Sequence, residues 1–216
     1  MIKILFVLSL LFCLSSCIEL IDDITIHANG TGTLKYSINL SSSKVKVHSM
    51  LTLDSLNGIK MLNQSELQLK ITQFKETLSK QPGISNVVVS YDFVECIFKI
   101  ICDFDNVSCL QTAIESTISI IFNKKADSNP WIINSNNMVS RNIPNIAVEQ
   151  LFTSDWTNHD LLKTGTYTSI TRFDTPIKSY DNHLSKISKS GKSLMLQINT
   201  DELFKNLNLL ENTIKL

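Results

Sequence analysis

Residues 84–104, ISNVVVSYDFVECIFKIICDF, hold the pattern on which the fold turns. Two β-rich runs, 84–91 and 93–104, lie either side of Asp92. In the second, Val94, Cys96, Phe98, Ile100, Cys102 and Phe104 fall on one face of a period-two strand, while Glu95, Lys99 and Asp103 point the other way with Ile97 and Ile101. One face is core. Upstream, Asn63-Gln64-Ser65-Glu66 pairs a capping residue with a glutamate three positions on, and Leu67, Ile71, Phe74 and Leu78 recur at helical spacing until Gln81-Pro82-Gly83 stops them. Downstream, Asp105-Asn106 supplies a second cap, and Val107, Leu110, Ile114, Ile118 and Ile121 trace a second helix ending near Asn123-Lys124-Lys125. The middle of the chain therefore predicts strand, helix, strand, strand, helix. That is a split βαβ, ferredoxin-like order, and the expected class is α+β: an antiparallel sheet with two helices packed on one face.

On either side of this block the signals are weaker. Ile24, Ile26 and Ala28 alternate with polar residues up to Asn29-Gly30-Thr31-Gly32, and Leu34, Tyr36, Ile38 and Leu40 alternate beyond, which predicts a β-hairpin. Residues 44–62 stay open: Val45 and Val47 suit a strand, whereas Met50, Leu51, Leu53 and Leu56 could line a helix. The stretch 127–145 is rich in Asn and Ser, with Pro130 and Pro144, and predicts a long irregular connection and a sub-boundary, relieved by a short strand at 131–133. A brief helix is expected at 146–152, a strand at 167–173, a turn at 174–176, a hairpin turn at 188–192, and alternation at Leu194, Leu196 and Ile198. A helical link over 201–210 and a closing strand at 213–216 complete the chain.

At the amino end, Lys3 precedes the apolar run 4–14, the order of an export signal, and the run is too short for the roughly 20 residues that a membrane-spanning helix needs. Leu14 is too large for the third position before an ordinary signal-peptidase cut. Leu14-Ser15-Ser16-Cys17 resembles the bacterial lipobox, and the resemblance implies removal of 1–16 and a diacylglycerol thioether on the Cys17 sulfur, with palmitate-type chains as the anchor. The expected organisation is a signal over 1–16, a tether over 17–23 and one α+β domain over 24–216. Each buried methylene is worth about 0.8 kcal/mol, so two or three such chains hold a protein on a bilayer almost permanently.

Removing sixteen residues from 216 leaves 200, enough for one domain with a sizeable core. Lys+Arg 20 against Asp+Glu 20 balances to zero, which gives no reason to expect nucleic acid as a partner. The expected partners are the membrane, through Cys17, and an envelope protein. Cys96, Cys102 and Cys109 remain after Cys13 and Cys17 are set aside, an odd set that cannot all pair internally. Cys96 and Cys102 on one strand would sit about 20 Å apart, beyond disulfide reach, while Cys102 and Cys109 could meet.

Catalytic constellations are not visible. His27, His48, His159 and His183 are scattered, and only His159 adjoins a carboxylate, Asp160. Asp22-Asp23 and Asp201-Glu202 are adjacent acids of the kind found in tethers and at helix starts. No G-x-S-x-G elbow or glycine-rich phosphate loop occurs, and Ser185-Lys186 and Ser188-Lys189 fall in a polar turn. Four N-x-S/T sequons, at Asn29, Asn39, Asn63 and Asn106, mostly coincide with turn or cap positions. Trp131, Phe152 and Trp156 suit a core under a long loop better than a binding surface.

The stretch 78–118 resembles the heavy-metal-associated domain in topology alone: the loop Lys60-Met61-Leu62-Asn63-Gln64 lacks the cysteine pair such domains use, so no metal is implied. With its lipobox, its hairpin around Asn29-Gly30-Thr31-Gly32 and its closing segment 194–216, the chain resembles envelope lipoproteins of the Bacteroidota type. Ile18, rather than Asp, follows Cys17, and under the enterobacterial sorting rule that implies the outer membrane, facing the periplasm or the surface. The expectation is a noncatalytic interaction or structural component of the envelope, without cofactor or metal. The alternative is an envelope hydrolase or small-ligand carrier whose pocket lies near the 127–164 connection, gathering His159 and Asp160.

Overall fold

The computed structural model describes residues 18–56, 59–122, 130–142 and 164–216. In chain order its elements are β1 (Glu19–Ile26), β2 (Gly32–Asn39), α1 (Lys44–Leu51), β3 (Ser55–Leu56), β4 (Ile59–Lys60), α2 (Gln64–Ser79), β5 (Ile84–Asp92), β6 (Ile97–Phe104) and α3 (Val107–Phe122). There follow β7 (Ile132–Ser135), β8 (Met138–Arg141), β9 (Thr166–Phe173), β10 (Ser179–Tyr180), β11 (Lys186–Ile187), β12 (Ser193–Asn199), α4 (Thr200–Lys205) and β13 (Asn212–Lys215). Short 3-10 turns cover Ser41–Ser43 and Leu207–Leu210.

Seven strands form one sheet in the order β11-β12-β9-β1-β2-β6-β5. The predicted hairpin is its centre: β1 and β2 pair antiparallel from Glu19 opposite Asn39 to Ile26 opposite Gly32. Gly30 takes a φ of +90° in the connecting turn, where a side chain would be strained. The Asn29 side-chain oxygen, Oδ1, accepts both the Thr31 backbone N–H, at 3.1 Å, and its hydroxyl, at 2.8 Å.

The split βαβ order is present in β2, α2, β5 and β6: β6 lies between β2 and β5 and runs antiparallel to both. The rest of the expected arrangement is corrected. The edge position that a strand following α3 would take in a ferredoxin-like sheet belongs to β1, and the chain after α3 enters a second sheet instead. The main sheet is also not purely antiparallel, because β1 and β9 run parallel. A sequence pattern shows which faces are apolar but not which strand claims an edge, since any hairpin with the right face could fill it.

The second sheet has the order β10-β13-β8-β7. Its β7–β8 hairpin turns on Asn136 and Asn137, both at positive φ, 52° and 58°, the left-handed pair that a two-residue hairpin loop needs. The irregular connection and sub-boundary expected over 127–145 are thus corrected for residues 130–142, which form a hairpin whose Trp131, Ile132 and Val139 are buried in the main core. The tether expected over 17–23 is corrected as well: β1 begins at Glu19, and Ile18 and Leu20 are already buried. The ambiguous 44–62 segment resolves into α1 and the small β3–β4 pair.

One face of the main sheet is covered. Ile24 and Ile26 of β1, Leu34 of β2, and Ile100, Cys102 and Phe104 of β6 pack against Ile71 and Leu78 of α2, Val107 and Leu110 of α3, and Ile132, Val139 and Ile214 of the second sheet. A side chain of this size contributes about 1.5–3 kcal/mol on full burial, so this interior supplies most of the driving force for folding. A second cluster gathers Ile18, Leu20, Met50, Tyr167, Leu196, Ile198, Leu203 and Leu210 at the end of the sheet where β1 starts. Val94, expected on the buried face of β6, sits instead in the β5–β6 turn and is exposed. Cys96 closes that turn at φ 55°, buried.

Cys96, Cys102 and Cys109 are all free thiols. Cys102 lies on the inner face of β6, where burial, and secondarily the neighbouring Asp103 charge, pushes its thiol up to about 12. Cys109 packs beside Gly83, so the two sulfurs go to different neighbours.

Both ends of the capping box on α2 are made: the Asn63 side chain accepts the Glu66 N–H at 2.9 Å, and the Glu66 carboxylate accepts the Asn63 N–H at 3.0 Å. Replacing Asn63 with alanine is expected to lower the unfolding free energy by about 1 kcal/mol in denaturant titration. An unchanged midpoint would show that the cap contributes nothing.

Candidate functional site

Strand β1 carries two adjacent acids, and the pleat sends them to opposite faces. Asp22 points inward and Asp23 outward. The chain has only two arginines, and each takes one of them. On the outer face, Arg172 of β9 grips Asp23 with two bonds, Nε to Oδ1 at 2.8 Å and Nη2 to Oδ2 at 2.9 Å. On the inner face, Arg141 of β8 crosses from the second sheet and donates through Nη2 to Asp22 Oδ2. Asp22 and Arg141 are 6% and 7% exposed, so this pair is sealed between the sheets.

Three further contacts hold the buried pair. The Tyr167 hydroxyl donates to Asp22 Oδ2 at 2.9 Å, Arg141 Nη1 donates to the Thr171 hydroxyl at 3.4 Å, and the guanidinium lies 5.6 Å over the Trp131 ring. Burial, and then the Asp22 charge, pushes the Tyr167 phenol well above its ordinary range and the neighbouring Tyr36 phenol up to about 12. Both tyrosines therefore stay neutral, and Tyr167 serves Asp22 as a donor. Among the described residues, Asp22 Oδ1 and Arg141 Nε have no hydrogen-bond partner. Held this deep, the cluster clamps the two sheets together. Arg suits the task because its planar fork can serve Asp22, Thr171 and the Trp131 face at once.

The three described histidines, His27, His48 and His183, lie in separate settings. His27 Nδ1 lies 3.0 Å from Asp174 Oδ1, tying the β1–β2 turn to the residue after β9. His48 Nε2 donates to the Phe93 carbonyl at 2.7 Å. His183 lies by the second sheet, and His159 and Asp160 fall outside the described residues, as do Phe152 and Trp156. Asp201 pairs with Lys205 one helical turn on, and its N–H is capped by Asn199. The Ser185 hydroxyl accepts from Asn212 at 3.0 Å. The sequon asparagines have local structural duties: Asn106 caps the Cys109 N–H and Asn39 the Ser41 N–H, beside Asn29 and Asn63 above. Among the described residues no three His, Cys, Asp or Glu side chains form a group able to hold a metal ion.

Three carboxylates are held below the usual range: half-buried Asp103 by hydrogen bonds from Asn86 and Thr33, exposed Asp174 by the Ala28 N–H and then His27, and exposed Asp92 by the Glu95 and Val94 N–H groups. A carboxyl with a lowered folded pKa contributes stability above its unfolded value, about 4, and loses it as the pH falls through the folded value. The melting temperature is expected to drop below about pH 4, and Asp103→Asn to flatten that drop. Equal slopes for the two proteins would refute the assignment.

An open hollow of about 350 Å³ lies beside the second sheet, with Ser140, Asn142, Asp181, Asn182, His183 and Glu211 among its walls. Ser140 and Asn142 come from the 127–164 connection, where the carrier alternative expects a pocket. Much of its polar lining is already committed: Asp181 accepts the Thr213 N–H at 2.6 Å, Asn182 donates to the Leu209 and Glu211 carbonyls at 2.9 and 2.8 Å, and Asn142 donates to the Pro130 carbonyl at 3.0 Å.

Cys17, the expected lipidation site, lies outside the described residues, immediately before Ile18. Ile18 is buried, and its carbonyl accepts the Thr166 N–H at 2.8 Å, so the chain is locked to β9 one residue ahead of β1. No helix among the described residues is long and apolar enough to cross a membrane.

No family model and no curated protein matches the chain. Among solved structures, the NMR structure of the folded domain of LppM from Mycobacterium tuberculosis aligns at a TM-score of 0.40 and 10% identity, covering 92% of this chain and 89% of that one, a likeness too slight to transfer fold or function.

Proposed function

We infer that this protein is a bacterial envelope lipoprotein held by acyl chains on Cys17, and that its body serves as a noncatalytic interaction or structural component. The position of the fold relative to the lipobox carries the reading. The sheet starts directly after the motif, with Ile18 buried and β1 opening at Glu19, so a cut before Cys17 leaves β1 whole. The buried Asp22–Arg141 pair and the separate settings of His27, His48 and His183 support the noncatalytic half. Two or three long acyl chains would suffice to hold a neutral 200-residue body, because membrane affinity grows with each buried methylene. The sorting residue Ile18 favours the outer membrane. Mass spectrometry of the native amino terminus is expected to find a chain that starts at an acylated Cys17, and Cys17→Ser to leave an uncleaved, unacylated precursor. An unmodified start, or retention of residues 1–16, would overturn the reading.

The small-ligand carrier is kept as a second reading because of the hollow beside Ser140, Asn142 and His183. It predicts that a ligand co-purifies with the native protein and is lost on His183→Trp, which would fill the hollow. A ligand-free protein would remove it.

A further inference from the structure

The two most exposed large apolar side chains among the described residues, Val45 at 77% and Val94 at 69%, lie at the same end of the molecule. Val45 is on α1 and Val94 in the β5–β6 turn, and the two segments are bonded to each other. Lys44 Nζ meets Glu95 Oε1 at 2.9 Å and His48 donates to the Phe93 carbonyl, while the Leu40 N–H, just ahead of α1, donates to the Cys96 carbonyl at 3.0 Å. Leu53, just beyond α1, adds a third exposed apolar side chain. None of the three belongs to either core cluster.

This is also the end at which residue 18 enters the sheet. Glu19 lies opposite Asn39, Asn39 opposite Ile97, and Ile97 opposite Asp92, a single row across β1, β2, β6 and β5. At about 4.8 Å per strand, the β5–β6 turn stands roughly 10–15 Å to the side of β1 at the same height. Only one peptide link, about 3.8 Å between α-carbons, separates Cys17 from the locked Ile18. Acyl chains on Cys17 leave the body no spacer with which to stand off the bilayer.

We propose that this end of the sheet rests on the phospholipid surface that holds the Cys17 chains, with Val45 and Val94 as apolar contact points set to one side of the anchor. The inference depends on the lipoprotein reading and goes beyond it by assigning the face that meets lipid. One attachment point lets a body rock, and two lateral contacts fix its tilt. The charges here offset one another and select no anionic lipid: Lys44 is paired with Glu95, Lys205 with Asp201, and the Asp92 carboxylate, which accepts the Val94 and Glu95 N–H groups, lies in reach of the Lys44 and Lys99 charges. The surface therefore fits zwitterionic headgroups, and contact should depend little on salt. The opposite end, with the His27–Asp174 bond, then faces away from the membrane, eight residues of β1 or about 25 Å higher.

The test uses the mature acylated protein in phosphatidylcholine vesicles, with Cys109→Ser to remove the half-buried thiol. A nitroxide is placed at Val45→Cys, Val94→Cys or, as the distal control, Asn29→Cys, and its collisions with a water-soluble nickel chelate are measured. Labels at 45 and 94 are expected to collide at least about three-fold less often than the label at 29, as for side chains within 5–10 Å of the headgroup boundary, and to do so equally when anionic lipid is added. Equal collision rates at all three sites on an acylated protein would overturn the docking face and leave the anchor intact. An unmodified Cys17 in the mass spectrum would overturn both. Shielding at 45 and 94 in native envelope but not in pure lipid would assign the patch to a protein partner and also overturn the proposal.

Discussion

Replacing Arg141 with alanine is expected to lower the unfolding free energy by about 3–5 kcal/mol, because it leaves the Asp22 carboxylate buried without its counter-charge. For a body of this size that corresponds to a fall of roughly 6–20 °C in melting temperature. The loss is larger than for a surface ion pair because neither partner can turn to water: both side chains are about nine-tenths buried, and the Tyr167 hydroxyl is the other donor to Asp22. Arg141→Lys should recover only part of it, since an ammonium is a point charge and cannot serve Asp22 and Thr171 while lying flat on Trp131. The double variant Asp22→Leu with Arg141→Met is expected to return most of the stability, or to exceed the parent, because removing both charges removes both desolvation penalties. Chemical denaturation of the four proteins decides the matter. A loss below about 1 kcal/mol for Arg141→Ala would show that the pair is hydrated and not the clamp described here.

Gly32→Ala is expected to cost about 3 kcal/mol, from overpacking at a position flanked by strands on both sides. Gly32 lies opposite Ile26 of β1 and Phe104 of β6. A β-carbon there would run into the Thr25 carbonyl oxygen and the Phe104 ring, whose Cε2 is 2.8 Å away. The ring is itself buried, so it has nowhere to move without opening the core. Trimming the obstacle tests the cause: Phe104→Leu in the Gly32→Ala background should cost less than the sum of the two single changes. Gly30→Ala, two residues away, makes a useful contrast. Nothing lies within 4 Å of its β-carbon position, and the only cost is the positive φ, about 1 kcal/mol. A loss at Gly32 no larger than at Gly30 would mean that the Thr25 carbonyl and the Phe104 ring yield to a β-carbon there.

The pieces whose reasons are local were legible in the chain. The Asn63–Glu66 capping box, the hairpin around Gly30 and the alternation of β6 each follow from residues within a few positions of one another, and each is found where the spacing places it. Local reasoning failed at segment ends and wherever the partner was remote. Val94 fits the buried register of β6 by count, but the turn takes it out of the strand. The 127–145 stretch lacks a strong apolar pattern because β7 and β8 are four residues each and have one buried face between them, and the Asn136-Asn137 pair was the available sign of a hairpin.

The buried clamp shows the same division. Two adjacent aspartates suit a solvated tether unless strand β1 is known to start at Glu19, since only the pleat makes one of them face inward. A hint was present: two arginines in a chain otherwise supplied with lysine mark places where a planar cation is wanted. Their partners lie 119 and 149 residues away along the chain, out of reach of any spacing rule.

Residue order alone settled the class, α+β, the α2 and α3 helices with their apolar stripes and the central hairpin, because hydrophobic period, caps and turns act over a few neighbouring residues. Three-dimensional packing settled that β1 and not a later strand flanks β2, that a second sheet closes over the first, and that Asp22 and Arg141 meet between them. Those outcomes depend on which of several compatible faces bury the most apolar surface together, a competition among distant segments that no short window of sequence contains.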